Sequence, residues 1–130
     1  MFDKYLIGEK GFRNVTKAGC AIGFQIQVRI TYYRGLGLSM VEGFDVFVDG
    51  VAYPREQNLF TLGDKTFTFE QMETEYRERW EMGDFASLTV PLPGGLAHGE
   101  HEVSVNEYLR ISYVPIISVT KDTKTLSLEV

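Results

Sequence analysis

An alternation of apolar and polar side chains from residue 23 to residue 33 limits most strongly how this chain can fold. The apolar positions are Phe24, Ile26, Val28, Ile30 and Tyr32, and the residues between them are Gln25, Gln27, Arg29 and Thr31. A period of two residues is that of a β-strand, in which successive side chains point to opposite faces. One face of this strand must therefore be buried against another layer of structure, while the other face is wet.

Glycine and proline divide the rest of the chain into short segments, as in β-sandwiches and barrels. Asp49-Gly50 follows an apolar segment at 44–48 and precedes another at 51–53. This dipeptide favours a type I′ turn, because both central residues need a positive φ. A second hairpin is expected between 58–62 and 66–69, and later strands are expected at 86–92, 102–108, 109–114 and 125–130.

The segment 70–79 breaks this pattern and predicts one short amphipathic helix. Thr68 and Gln71 have the spacing of a capping box, in which each side chain binds the backbone N–H of the other residue. Glu73 and Arg77 lie four residues apart with the acid first, which is the favoured orientation of a helical ion pair. We therefore predict a mainly β fold for residues 1–130: a single-domain, antiparallel β-sandwich or barrel-like structure with one short helix at about 70–79.

The charge of the chain argues against nucleic acid and membrane as partners. There are 13 Lys and Arg against 18 Asp and Glu, a net charge of −5, whereas phosphate backbones are bound by basic surfaces. No apolar run approaches the roughly 20 residues of a membrane helix, and no signal-peptide h-region follows the first residues. Cys20 is the single cysteine and cannot form an internal disulfide. These features lead us to expect a cytoplasmic protein.

Both histidines lie in His98-Gly99-Glu100-His101, the only His/Glu cluster of the sequence. A loop could bend both imidazoles onto one metal ion, but a catalytic metal usually takes three protein ligands. The third ligand would have to be a carboxylate elsewhere in the chain. We favour the simpler interpretation, in which His101 opens the next strand and forms local hydrogen bonds.

Other catalytic signatures are missing from the sequence, which has no Gly-x-Ser-x-Gly motif and no glycine-rich phosphate loop. What remains are adjacent aromatic and basic residues, which are enriched at protein interfaces. The alternative for Trp80 is a place in the core. We predict no catalytic residue and no metal site in this chain. The candidates for a pocket rim or a partner interface are Tyr33, Arg34, Trp80, His98 and His101.

A set of short segments spread along the chain forms a further pattern. They are Phe2-Asp3-Lys4-Tyr5, Gly11-Phe12-Arg13-Asn14, Gly23-Phe24, Tyr32-Tyr33-Arg34-Gly35, Val48-Asp49-Gly50, Arg79-Trp80, Pro93-Gly94-Gly95-Leu96, Gly99 with His101, and Ile111-Ser112-Tyr113 before Pro115. In their order and spacing they resemble the beta subunit of the bacterial C-glycoside deglycosidases, also called C-deglycosylation enzymes. The likeness covers most of the chain, and it is the combination of segments that is specific.

The resemblance implies a small β-sandwich-like accessory subunit without an active site of its own. Its partner would be an alpha subunit similar to sugar phosphate isomerases and epimerases, a TIM barrel holding a divalent metal, usually Mn²⁺. Together they would cleave the carbon–carbon bond of a C-glycoside, such as a flavonoid C-glucoside, after another enzyme has oxidised the sugar to its 3-oxo form. We expect no cofactor in this chain and a hetero-oligomer as the working unit.

Two other interpretations stay open at this point. A stand-alone carbohydrate-binding β-sandwich would bind sugars through exposed aromatic residues without a partner. A cupin-like metal enzyme would use His98, Glu100 and His101, although the cupin pattern has two histidines one residue apart, a later glutamate and a distant third histidine. Stoichiometric metal in the isolated protein would support this second alternative.

Overall fold

The computed structural model describes residues 6–30, 36–53, 55–75, 78–81, 83–110 and 117–129. Within these ranges the chain forms eleven strands and one short helix. They are β1 (Arg13–Lys17), β2 (Cys20–Arg29), β3 (Leu36–Gly37), β4 (Val41–Val48), β5 (Val51–Tyr53), β6 (Leu59–Leu62), β7 (Lys65–Thr68), α1 (Phe69–Met72), β8 (Arg79–Trp80), β9 (Phe85–Pro91), β10 (Glu100–Arg110) and β11 (Ile117–Ser127). Short 3-10 turns at Leu38–Met40 and Arg55–Gln57 flank β4 and β5.

The strands form two main antiparallel sheets. The five-stranded sheet has the order β1-β2-β9-β6-β7, the four-stranded sheet has the order β11-β10-β4-β5, and β3 pairs with β8 alone. The described strands leave both main sheets open rather than closing them into one barrel. The predicted mainly β, sandwich-like fold is therefore confirmed.

The core lies where the apolar faces of the two sheets meet. On β2 the alternating residues Phe24, Ile26 and Val28 are fully buried, as the sequence pattern predicted. Across the sandwich, the Phe44 ring on β4 stacks on the Phe60 ring on β6 with centroids 6.1 Å apart. Each buried side chain of this size stabilises the fold by about 1.5–3 kcal/mol relative to an exposed one.

The turn between β4 and β5 has the backbone geometry that its sequence predicted. Asp49 has φ +51° and Gly50 has φ +82°. Positive φ at both central residues is the property of a type I′ turn, whose twist matches that of the flanking strands. The second predicted hairpin is also present, with β6 and β7 paired around Gly63 and Asp64.

The helix is shorter than predicted. Its capping box is present: Gln71 N donates to Thr68 Oγ1 at 3.1 Å, and Thr68 N donates to Gln71 Oε1 at 2.9 Å. However, α1 ends at Met72, and Trp80 belongs to β8 instead of extending a helical stripe. Burial of Trp80 against the sandwich outweighs the weak helical preference of the segment. Among the described residues, no helix is long and apolar enough to cross a membrane.

Strands are present near the end of the chain as predicted, but their predicted bounds were wrong. β10 continues without a break to Arg110, whereas separate strands at 102–108 and 109–114 were predicted. β11 begins at Ile117, well before the predicted start at 125. It pairs along its whole length with β10 but lies at the sheet edge, so most of its side chains are exposed and carry no apolar alternation. Residues 111–116 and Tyr32 lie outside the described residues.

Candidate functional site

His101, at the start of β10, is held by hydrogen bonds at both ring nitrogens. Nδ1 lies 2.6 Å from Asp49 Oδ2, and Nε2 lies 2.7 Å from the carbonyl oxygen of Ala97. A carboxylate and a carbonyl only accept hydrogen bonds, so both ring nitrogens act as N–H donors. The doubly protonated imidazolium satisfies both contacts, and in that form neither ring nitrogen has a lone pair for a metal ion or for a substrate proton.

The electrostatics of this pair follow from the same contacts. Hydrogen bonding to the Ala97 carbonyl, and then to the Asp49 carboxylate, raises the pKa of His101 above its ordinary value. The hydrogen bonds that Asp49 accepts from His101 and from the backbone N–H of Glu102 lower the pKa of Asp49. Each partner therefore favours the charged form of the other.

His101 is largely enclosed by the rest of the chain. Its side chain is only 11% exposed, and its ring meets the Phe12 ring edge-on at a centroid distance of 5.9 Å. As predicted, His101 lies at the start of a strand and forms a local hydrogen bond, the one to Ala97, whereas its bond to Asp49 spans 52 positions and was not predicted. His98 and Glu100 lie nearby with exposed side chains. No group of three His, Cys, Asp or Glu side chains within the described residues is placed to hold a metal ion, so a cupin-like centre lacks support there.

Asn14 on β1 forms a second long-range contact, in addition to the one between His101 and Asp49. Its Nδ2 donates to the Leu96 carbonyl at 2.9 Å, and its Oδ1 accepts from the Leu96 N–H at 2.8 Å. Gly95 packs directly against this amide, where a Cβ atom would collide with it. Asn14 and His101 thus connect segments that are far apart in the chain. Their hydrogen bonds join β1, the β4–β5 turn and the loop before β10.

The other predicted contact residues have different outcomes. Trp80 is fully buried and packs on Phe60, with centroids 5.2 Å apart, and its Nε1 donates to the Asp84 carbonyl at 2.9 Å. Its side chain therefore has no exposed surface for a partner, which corrects its place among the rim candidates. Tyr33 and Arg34 lie outside the described residues.

An open groove of about 580 Å³ lies beside Phe85, and the sequence did not predict it. The Arg29 guanidinium lies over the Phe85 ring, 4.7 Å from its centroid, and Phe85 is 48% exposed. The sequence feature that could have indicated this groove is the set of outward-facing polar residues on β2, to which Arg29 belongs. The groove is lined by Glu9, Lys10, Gly11, Arg13, Gln27, Arg29 and Phe85.

Comparison with known proteins identifies the family. The model of the C-glycoside deglycosidase beta subunit family matches residues 2–113. The chain belongs to this family. A C-glycoside deglycosidase beta subunit from Eubacterium cellulosolvens is 34% identical over 116 residues, covering 88% of this chain and 79% of that protein. One from Arthrobacter globiformis is 37% identical over 106 residues, covering 78% and 81%.

A third relative carries a different substrate in its name. A 3'-dehydrocarminate deglycosidase beta subunit from a Microbacterium species is 33% identical over 95 residues, covering 72% of this chain and 70% of that protein. The resemblance found in the sequence is confirmed. Membership of a beta-subunit family implies a role within a deglycosylating complex with a partner subunit.

Proposed function

We propose that this chain is the non-catalytic accessory subunit of a heteromeric enzyme that cleaves the carbon–carbon bond of 3-oxo C-glycosides, such as flavonoid C-glucosides. The catalytic partner in this proposal is a TIM-barrel alpha subunit. The observation that carries the proposal is the family match over residues 2–113. Consistent with it, both ring nitrogens of His101, one of the two histidines, are engaged in structural hydrogen bonds.

The chemistry of the bond explains why the two-carboxylate glycosidase route does not apply. A C-aryl glycoside has no exocyclic oxygen for a general acid to protonate. A ketone at sugar C3 instead acidifies the C2 proton, and a base can remove it. The resulting enolate expels the aryl carbon by β-elimination. The departing aryl carbon takes up a proton. A phenol on the aromatic ring makes this departure easier, because the ring can then leave as its keto tautomer.

The described residues of this chain do not fit the metal site that such an enzyme would use. They include no group of three suitable donors, and both ring nitrogens of His101 are hydrogen-bonded within the chain. We therefore assign the base and a divalent metal ion, with Mn²⁺ as our expectation, to the alpha subunit. No step of the reaction is assigned to a side chain of this chain.

The contribution of this chain would be to stabilise the alpha subunit and to shape the rim of its pocket. The sandwich is suited to this because its loops are fixed by long-range contacts such as the one between Asn14 and Leu96. The exposed His98 lies on the loop that those contacts fix. Tyr33, Arg34 and His98 remain our candidates for the rim.

Reconstitution tests the proposal. The alpha subunit encoded beside this chain, this chain alone, and the two together are each incubated with a chemically prepared 3-oxo C-glucoside, and aglycone release is followed by chromatography. We expect aglycone release only when both chains are present, or release at least about tenfold faster than with either chain alone. An alpha subunit that is equally active and equally stable by itself would contradict the accessory role.

A further inference from the structure

The outer face of the five-stranded sheet is an unusual surface for this chain. Strand register places its outward side chains in rows across the sheet. We call this set the polar sheet face. Its rows are Val15, Gly23 and Pro91; Arg13, Gln25, Thr89, Leu59 and Thr68; Gln27, Ser87, Thr61 and Thr66; and Arg29 with Phe85.

No residue of the polar sheet face is acidic. Its only charged members are Arg13 and Arg29, although the whole chain has 18 Asp and Glu and a net charge of −5. Protein interfaces are depleted of charged residues at their centre, and they are enriched in arginine and aromatic residues. The polar sheet face shares part of this composition: it has no acidic residue, two arginines and one aromatic residue, Phe85, with amide and hydroxyl side chains at its centre.

Four side chains of this face are hydrogen-bonded to one another in pairs. Gln27 Nε2 donates to Ser87 Oγ at 2.7 Å, and the hydroxyls of Thr61 and Thr66 are hydrogen-bonded at 2.9 Å. Side chains that are fixed before association lose less conformational entropy when a partner binds. At one corner, the half-exposed Phe85 ring with Arg29 above it combines an aromatic residue and an arginine, both of which are enriched at interfaces.

The outer face of the four-stranded sheet carries charges of both signs. Arg55 Nη2 lies 2.7 Å from Asp45 Oδ1, and Arg110 Nε lies 2.7 Å from Glu42 Oε1. Exposed ion pairs of this kind satisfy their own charges and are normal on a solvated surface. Val119 on this face is as exposed as Phe85, at 47%, and it provides a matched comparison.

We infer that the polar sheet face, with Arg29 and Phe85 as its anchor, is the surface that docks the catalytic subunit, through a patch of that subunit that carries carboxylates. The inference rests on the proposed function. Charge argues against a second copy of this chain, because a two-fold pairing of this face would set arginines against arginines. The groove beside Phe85, lined by three cationic residues and one acid, has room for acidic side chains of the partner.

Binding of the alpha subunit to variants of this chain tests the inference. The variants are Arg29→Glu and Phe85→Ser, and the control is Val119→Ser on the opposite face. Circular dichroism and the thermal midpoint verify that each is folded. We expect each of the first two to weaken binding by at least about tenfold, which corresponds to about 1.4 kcal/mol and lies within the range for residues at the centre of an interface. The control should stay within about twofold of the wild type.

A footprinting experiment on the wild-type proteins avoids any question of variant folding. Hydroxyl radicals label exposed side chains, and we expect labelling of Phe85 to fall on complex formation while labelling of Ile117 and Val119 stays unchanged. The reverse pattern, or full binding by the Arg29→Glu and Phe85→Ser variants, would overturn the docking surface alone. If the wild-type form of this chain did not bind the alpha subunit at all, the proposed function would fail together with this inference.

Discussion

His101 Nδ1 lies 2.6 Å from Asp49 Oδ2, although the two residues are 52 positions apart in the chain. The other oxygen of the same carboxylate accepts the backbone N–H of Glu102 at 2.9 Å. One side chain of the β4–β5 turn thus binds two consecutive residues at the start of β10. These contacts hold Asp49 in its left-handed backbone conformation, which is costly for a residue with a Cβ atom.

The pair predicts how stability depends on pH. The raised pKa of His101 means that its stabilising contribution is complete below about pH 6.5, the ordinary value of a histidine, and is lost as the pH rises through the folded-state pKa. The lowered pKa of Asp49 gives a contribution that is present above about pH 4 and is lost as the pH falls through its folded-state value. The two contributions overlap between about pH 4 and 6.5.

Urea unfolding of the wild type and of His101→Asn at pH 6 and pH 9 measures this effect. We expect the urea midpoint of the wild type to be lower at pH 9 than at pH 6, and the midpoint of the variant to change less. Equal pH dependence in both proteins would show that the charged pair does not stabilise the fold. His98→Asn, which changes the exposed histidine of the same loop, is the control and should behave like the wild type.

Gly23 is predicted to tolerate no side chain. A Cβ atom at this position would collide with the backbone carbonyl oxygen of Val90, in the strand paired with β2. Backbone cannot move aside without breaking the β2–β9 ladder, so we expect Gly23→Ala to destabilise the fold by roughly 2 kcal/mol or more. Gly37→Ala is the control, since its nearest neighbour is the Ser39 hydroxyl at 3.9 Å. A comparable urea midpoint for the two variants would contradict the prediction.

Trp80 is predicted to be essential for the core. Its ring packs on those of Phe44 and Phe60, and Trp80→Ala would leave a cavity costing about 3–5 kcal/mol. Trp80→Phe keeps most of the packing but loses the hydrogen bond to Asp84, so it should be clearly less damaging. Thermal unfolding followed by circular dichroism ranks the three proteins. An alanine variant as stable as the wild type would show that Trp80 is not a core residue.

Asn14 is predicted to fix the loop at Leu96. Asn14→Ala removes a donor and an acceptor at once, and with about 0.5–1.5 kcal/mol for each hydrogen bond we expect a loss of about 1–3 kcal/mol. Limited proteolysis should then cut the loop between β9 and β10 faster than in the wild type. Asn106→Ala, a substitution on the outer face of β10, serves as the control. Unchanged cleavage in Asn14→Ala would argue that the loop is held by other contacts.

The elements with strong local signals could be predicted from the sequence. The β2 alternation and the Asp49-Gly50 turn are examples, because a buried face and a positive φ leave direct marks in residue type. β11 left no such mark, since an edge strand needs few apolar side chains. The helix was over-extended because the sequence shows the apolar stripe of Met72 and Trp80 but not the sheet against which each is buried.

The candidate site was less accessible to sequence reasoning. The hydrogen-bonding role of His101 followed from the poor metal-site spacing, but Asp49 as its partner depends on long-range pairing of strands. The groove beside Phe85 joins residues of β1, β2 and β9, which only the sheet order brings together. Tyr33 and Arg34 stay predictions from the sequence.

Native mass spectrometry, with metal analysis, tests the central claim most directly. This chain is expressed alone and then together with the TIM-barrel protein encoded beside it. We predict a stable heteromer in the second sample, with a divalent metal present only when the partner is present. A chain that binds metal stoichiometrically by itself and does not associate with the partner would contradict the claim that it is an accessory subunit.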